Sequence, residues 1–145
     1  MPREISKTNR RLLVIVNYVS LISVAFLVHA GRMYDWDTRV RLAGILASCG
    51  VLLLTFTLVF WRTGLWQMAH ASFEKLDERQ VHVMYESLRH SYVIFTLLCV
   101  VLLYANAVAE RGHIPILIAA GILYLAHTLP AAAAAWNEKE VLIDT

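Results

Sequence analysis

The sequence predicts an all-α, polytopic membrane protein with four transmembrane helices in an up-down bundle. Three observations predict it. Four long apolar runs, residues 12–30, 42–61, 91–109 and 114–136, contain no Asp, Glu, Lys or Arg. Each matches the roughly 20 residues that a helix needs to cross a hydrocarbon layer of about 30 Å. Of the 145 residues, 59% are hydrophobic, with a mean hydropathy of +0.58. Finally, the residues outside the runs are split among five short segments, 1–11, 31–41, 62–90, 110–113 and 137–145, none near the roughly 50 residues that a soluble domain normally needs. Backbone amides in lipid must be satisfied within their own segment, so the runs are read as helices of one four-helix domain spanning residues 1–145.

The first run follows Arg10 and Arg11 and ends in Val28-His29-Ala30, which approaches a small-x-small cleavage site. Its apolar stretch exceeds the roughly 7 to 15 residues of a signal h-region, so it is read as a retained span. The second run carries small residues on adjoining faces, Ala43, Ala47 and Gly50 beside Gly44 and Ser48, which permit close backbone approach. Ala119, Ala120, Gly121 and the run Ala131 to Ala135 do the same for the fourth. These faces suit packing within the chain or against another subunit, and an all-alanine stretch that would gain little from lipid leaves a protein partner open there. Pro130 should free the carbonyl of Ala126 and kink the fourth helix.

The inner connection, residues 62–89, is long for a loop and is expected to have structure or function. It reads as a cytoplasmic helical connection over about residues 64–90. In Leu76-Asp77-Glu78-Arg79-Gln80-Val81, Asp77 fits an N-cap, Gln80 the third helical position, and Leu76 with Val81 a hydrophobic staple. Val81, Met84, Leu88, Tyr92 and Phe95 then recur at helical spacing into the third span. A helix from Glu78 to Ala109 would be about 48 Å long, so about 15 Å would project into the cytoplasm. Glu78 with His82 and Glu86 with His90 are i, i+4 pairs. They read as a solvated helix surface, because no third element converges on them to close a metal site.

With both termini inside, the cytoplasmic segments hold Arg3, Lys7, Arg10, Arg11, Arg62, Lys75, Arg79, Arg89 and Lys139; Arg32, Arg39, Arg41 and Arg111 lie outside. That excess favours cytoplasmic termini. Trp61, Trp66 and Trp136 at the inner interface, and Tyr34 and Trp36 at the outer one, agree. The outer loops, 31–41 and 110–113, leave no room for an external domain, and the tail 137–145 is a peptide that could dock on a neighbour. The halves also read as a weak internal duplication: a shift of 79 positions lays Val14 and Ile15 on Val93 and Ile94, and Ala30 and Arg32 on Ala109 and Arg111.

Composition excludes several functions. A dispersed net charge of +2 is no nucleic-acid surface. Cys49 and Cys99 lie apart inside runs and form neither a redox pair nor a metal cluster. No phosphate loop, H-E-x-x-H or G-x-S-x-G is present, no metal ligands are assigned, and no enzyme is expected. Glutathione-utilising four-helix membrane enzymes are similar in size, but the Asn and Glu cluster they carry is missing. The runs also lack the carboxylates and bases of a coupled transporter. Their polar residues, among them Asn17, Ser20, Ser23, Thr55, Asn106, Tyr124, His127 and Thr128, read mainly as hydrogen-bonding glue between helices.

The Leu-Asp-Glu-Arg-Gln of residues 76–80 followed by Tyr92, with Leu129-Pro130 and Ala135-Trp136, resembles small four-helix prokaryotic membrane proteins of unknown function that carry an Asp-Glu-Arg motif before their third helix. The resemblance implies a fold and a prokaryotic inner membrane, and no site residues.

The expectation is therefore a structural or accessory protein without a cofactor. It would pack in the lipid bilayer with itself or with other membrane subunits through Gly44, Ala47, Ser48, Gly50 and Gly121. Asp77, Glu78, Arg79 and Gln80 would serve as its partner contact or helix cap. The alternative is a redox or quinone- or haem-linked anchor using His127, with His90 and Tyr124. Two axial histidines need nearly equal depth. Taking midplanes near Leu21, Leu52, Val100 and Tyr124, His90 and His127 differ in depth by about 10 Å, which disfavours haem; a quinone near His127 and Tyr124 is less constrained.

Overall fold

The computed structural model describes residues 5–109 and 114–137. Arg3, Lys139, Arg111, the loop 110–113 and the tail beyond Asn137 thus lie outside the described residues. Helix α1 (Lys7–Met33) is capped by Ser6, whose Oγ accepts from the Asn9 amide at 3.3 Å. Helix α2 (Thr38–Phe56) is capped by Asp37, which accepts from the Arg39 amide at 2.7 Å. Then follow the short helix α3 (Leu65–His70), α4 (Glu78–Val108) and α5 (Ile116–Asn137). All the regular structure among the described residues is helical. Four helices, with α2 continued to Trp61, are long and apolar enough to cross a membrane.

The side-by-side order is not the chain order. Helix α1 packs between α2 and α5, and α4 packs on the other side of α5 with a smaller contact on α3. Residue pairs give the directions. Gly44 approaches Leu27 while Asn17 bonds at Leu52 and Thr55, so α2 runs antiparallel to α1. Arg10 reaches Ala135 while Asn17 reaches Tyr124, so α5 does too. At 1.5 Å per residue, the 31 residues of α4 span about 46 Å and the 22 of α5 about 33 Å.

Helix α2 does not end cleanly. Thr57–Trp61 form a π-helical turn, closed by Arg62 N to Thr57 O at 2.9 Å. Just before it, the carbonyls of Val51, Leu52 and Leu53 each accept a side-chain hydrogen bond, from Thr55, from Asn17 and Thr55, and from Thr57. Side chains competing for successive carbonyls are a recognised cause of local departure from the α ladder. Gly64 then reverses the chain with φ of 71°, a left-handed conformation that glycine adopts without Cβ strain. The reversal turns α3 back against α5 and the π turn.

The connection holds two helical pieces, and the second begins at Glu78, where the sequence places a helix start. It breaks between His70 and Glu78, with a 3₁₀ turn at Phe73–Lys75. The break has a local cause: Asp77 accepts from Gln80 N at 2.6 Å and donates its own amide to Gln80 Oε1 at 3.2 Å, a capping box that starts a new helix there.

The core gathers at the end of the molecule that holds this connection. Val14, Val59, Phe60, Leu65, Met68 and Met84 are buried with Ala131, Ala132, Ala134 and Ala135. The alanine run thus packs within the chain, against α3 and α4, where small side chains admit close helix approach. Helix α5 passes through Pro130 as a single helix.

At the same end, basic residues of α1 cap α5. Lys7 Nζ donates to Asn137 O at 3.2 Å, Arg10 Nε to Ala135 O at 2.9 Å, and Arg11 to Trp136 O at 3.0 Å. The last carbonyls of a helix lack intrahelical partners and carry partial negative charge, so cations are stabilising there. The Arg11 guanidinium also lies 4.8 Å over the Trp136 ring. Arg10 is only 3% exposed. A buried hydrogen bond to a charged group contributes about 1.5–3 kcal/mol. Arg10→Gln should therefore lower the melting temperature in detergent, read by circular dichroism, by more than Lys7→Ala does; equal effects would contradict the clamp.

Candidate functional site

Buried polarity is concentrated where α1 meets both neighbours. Asn17 is fully buried. Its Nδ2 donates to Leu52 O at 3.1 Å and to Thr55 Oγ1 at 2.9 Å, and its Oδ1 accepts from Tyr124 Oη at 2.8 Å. One side chain thus joins α2, α1 and α5. Beside it, Thr128 Oγ1 donates to Tyr124 O at 2.9 Å, which leaves Tyr18 Oη as donor in the 3.3 Å Tyr18–Thr128 hydrogen bond. Every member has a partner, so this network is structural glue with no free group aimed at a ligand.

The adjoining residue on α5, His127, points elsewhere and is exposed. Its Nδ1 lies 2.9 Å from Leu123 O. His70, the last residue of α3, is also exposed, with Nδ1 2.9 Å from Trp66 O. The two imidazoles form a stacked pair, ring centres 6.3 Å apart and planes within 12° of parallel. Behind them runs an aromatic series: His70 on Trp66 at 4.1 Å, Trp66 on Phe56 at 5.2 Å, and Phe56 near Phe60 at 5.5 Å and Tyr124 at 6.4 Å. These contacts, edge-to-face where Phe56 meets Phe60 and Trp66 and tilted elsewhere, hold α3 against the end of α2 and link that end to Tyr124 of α5.

Of the three residues considered for a cofactor, Tyr124 belongs to the buried network and His127 to the exposed surface one turn away. His90 lies on exposed α4 with its Nδ1 bonded to Glu86 O at 2.8 Å, and the ring beside His127 is that of His70. Among the described residues, no group of three or more His, Cys, Asp or Glu side chains could hold a metal. Of the small residues, Gly44 faces α1, where an added Cβ would meet Leu27 Cδ1 at 3.2 Å, and Ser48 is half-buried. Ala47 and Gly50 are exposed, and a Cβ at Gly50 or at Gly121 would meet nothing within 4 Å. Asp77 and Gln80 form the capping box described above, while Glu78 and Arg79 are exposed.

His70 is the residue that sequence reasoning missed, because the connection before the cap at Asp77 reads only as helical, with no expectation that it folds back on the bundle. Gly64 followed by Leu65, Met68 and Ala69, apolar at positions i, i+3 and i+4, was the available signal for a short amphipathic helix folding back on the bundle.

Replacing Asn17 by Leu should cost about 1–3 kcal/mol, because Tyr124 Oη and Thr55 Oγ1 lose their shared buried partner. Tyr124→Phe should cost about 0.6 kcal/mol, the usual size of an interhelical hydrogen bond in a membrane. Thermal unfolding of the two variants and of the double variant checks this: the double should be no worse than Asn17→Leu alone, and simple additivity would contradict the network. Comparison of the chain with protein-family models, with curated proteins and with solved structures finds no match.

Proposed function

We propose that the chain is a small integral protein of a prokaryotic inner membrane, with both termini cytoplasmic and a structural or accessory role. It packs with a second copy or with other membrane subunits and presents the polar start of α4, around Asp77, Glu78, Arg79 and Gln80, beyond the bilayer. The observation that carries this reading is the division of small residues on α2. Gly44 is used inside the chain against Leu27, while Ala43, Ala47 and Gly50 lie at helical spacing on the exposed side. Without a hydrophobic force between helices in lipid, small residues are what let helices approach closely. Helix α4 supports the reading from the opposite flank. It is about 13 Å longer than α5, and only 6% of the residues in its most apolar stretch are buried. The basic residues Lys7, Arg10, Arg11 and Arg62 gather at one end with Trp136, in keeping with the excess of positive charge on the inner side.

A second reading, a redox or quinone- or haem-linked anchor, is favoured by the imidazole of His70 standing next to His127. The absorption spectrum of protein purified in mild detergent tests its haem version. A Soret band that disappears in His127→Ala would support the anchor, and a spectrum without one removes haem.

For the accessory role, native mass spectrometry from mild detergent should show an oligomer or a retained membrane subunit. Ala47→Leu with Gly50→Leu should disperse it at unchanged melting temperature. A wild-type chain that flies as a bare monomer, or an assembly indifferent to both leucines, overturns the assignment of this face.

A further inference from the structure

Helix α4 carries two opposite charges on the face that nothing in the chain covers. Its neighbours, α5 and α3, meet the side that holds Met84, which is 1% exposed. At about 100° per residue, Glu86 and Arg89 turn about 160° and 140° away from Met84, one to each side of the direction that faces off the bundle. Both are exposed. Among the described residues, neither the Glu86 carboxylate nor the Arg89 guanidinium has a hydrogen-bond or ion-pair partner. We propose that two copies of the chain pair through this face, with Glu86 of each α4 against Arg89 of the other. The proposal rests on the reading of the chain as a self-associating membrane protein and gives it a second face, at the opposite end of the helix row from α2.

The first argument is depth. In that reading, the end that holds Trp136 and the hydrogen bond from Arg10 to Ala135 O is the inner boundary of the bilayer. Met84 packs there, with Ala131, Ala132, Ala134 and Ala135. Glu86 and Arg89 therefore lie about 3 and 7.5 Å further along the helix, on the membrane side. Ionisable side chains at such depth are costly against lipid and are generally found paired with one another. The long stem of Arg89 lets its charge reach back toward the headgroups. Glu86 has a shorter stem and gains most from a cation brought to it.

The second argument is symmetry. Two copies inserted in the same direction and joined by one shared face are related by a two-fold axis along the membrane normal. Their α4 helices are then parallel, and each residue meets its equivalent at the same depth. A face of one sign would repel its copy, whereas Glu86 and Arg89, about 4.5 Å apart along the axis, make the face complementary to itself. Helical side chains lean toward the N-terminus, so Arg89 reaches back to the level of Glu86 in the other copy. Two equivalent ion pairs form together. Val93, 52% exposed and one turn beyond Arg89 on the same face, adds an apolar contact beside them. Further along stand bulky Leu97 and Tyr104, so the two helices cross at the charged turn and diverge beyond it. The crossing sets the two Asp77 to Gln80 segments side by side, and a partner outside the bilayer meets a two-fold surface.

The test uses the full chain in mild detergent, with Ala47→Leu and Gly50→Leu present in every sample so that the α2 face takes no part. Native mass spectrometry and sedimentation equilibrium should find a dimer. Glu86→Arg and Arg89→Glu should each weaken it at least about tenfold, because like charges then face each other. The two reversals together should restore it, which a merely structural role for either residue would not do. Where a reversal alters the circular dichroism spectrum, Glu86→Gln or Arg89→Gln replaces it and should also weaken the dimer. Single reversals that dimerise as well as their parent, or a double reversal no tighter than the singles, overturn the proposal. An assembly of the unmodified chain that the two leucines disperse to monomers overturns this pairing alone and leaves the accessory reading standing.

Discussion

Asn17 is the residue on which the arrangement of helices depends. In an apolar surround, a carboxamide must find its partners in the protein, because neither lipid nor core side chains offer any. Asn17 finds them on both sides of α1: a carbonyl and a hydroxyl on α2, a phenol on α5. Sliding either neighbour by one residue along α1 would move its partner about 1.5 Å and rotate it by about 100°, breaking hydrogen bonds that nothing else replaces. The register of three helices is set at this point, and α1 becomes the central element although it comes first in the chain. The remaining packing, Gly44 on Leu27 at one end and the basic residues on the α5 carbonyls at the other, extends that register along the length of α1.

The same competition for carbonyls explains what happens at the end of α2. Once Val51, Leu52 and Leu53 have accepted side-chain donors, the ladder widens into the π turn, and Gly64 lets the chain double back. The reversal buries Leu65 and Met68 beside Phe60, Met84 and the alanines of α5, so the densest core lies at one end of the molecule. A polar junction in the middle of α1 thus sets the geometry that brings α3, and with it His70, to the side of α5.

How far this was legible from the sequence follows from the range of each interaction. Four apolar helices are written in the composition of the runs themselves, and the start at Glu78 in the five residues around Asp77, because desolvation and capping are local effects. The order α2, α1, α5, α4 depends on which residues of different helices meet, and Asn17 looks no different from Asn106 until the partner helices are in place. His70 was hidden for a related reason: its position arises from the turn at Gly64 and from the contact of its neighbour Trp66 with Phe56, two features that only a folded chain brings together. The small residues were visible as a group, yet their split between Gly44 facing α1 and Ala47 with Gly50 facing out needs the helix rotation that Asn17 fixes.

An open row of helices has two flanks, and these are chemically unlike. Helix α2 presents a stripe of small residues, Ala43, Ala47 and Gly50, between exposed Leu42, Leu46 and Leu53, so that another backbone can come close along the stripe, whereas α4 presents Leu97, Val101, Tyr104 and Val108, bulky side chains that lipid tails solvate as well as a protein would. In a bilayer the gain from association is therefore larger at α2, where contact replaces loosely packed lipid with dense van der Waals packing. Crossing of α4 against a neighbour is less rewarded along its apolar length and more at its polar start, where charged side chains stand clear of the core. Assembly through α2 would leave α4 facing lipid along its apolar length and its polar start free at the surface.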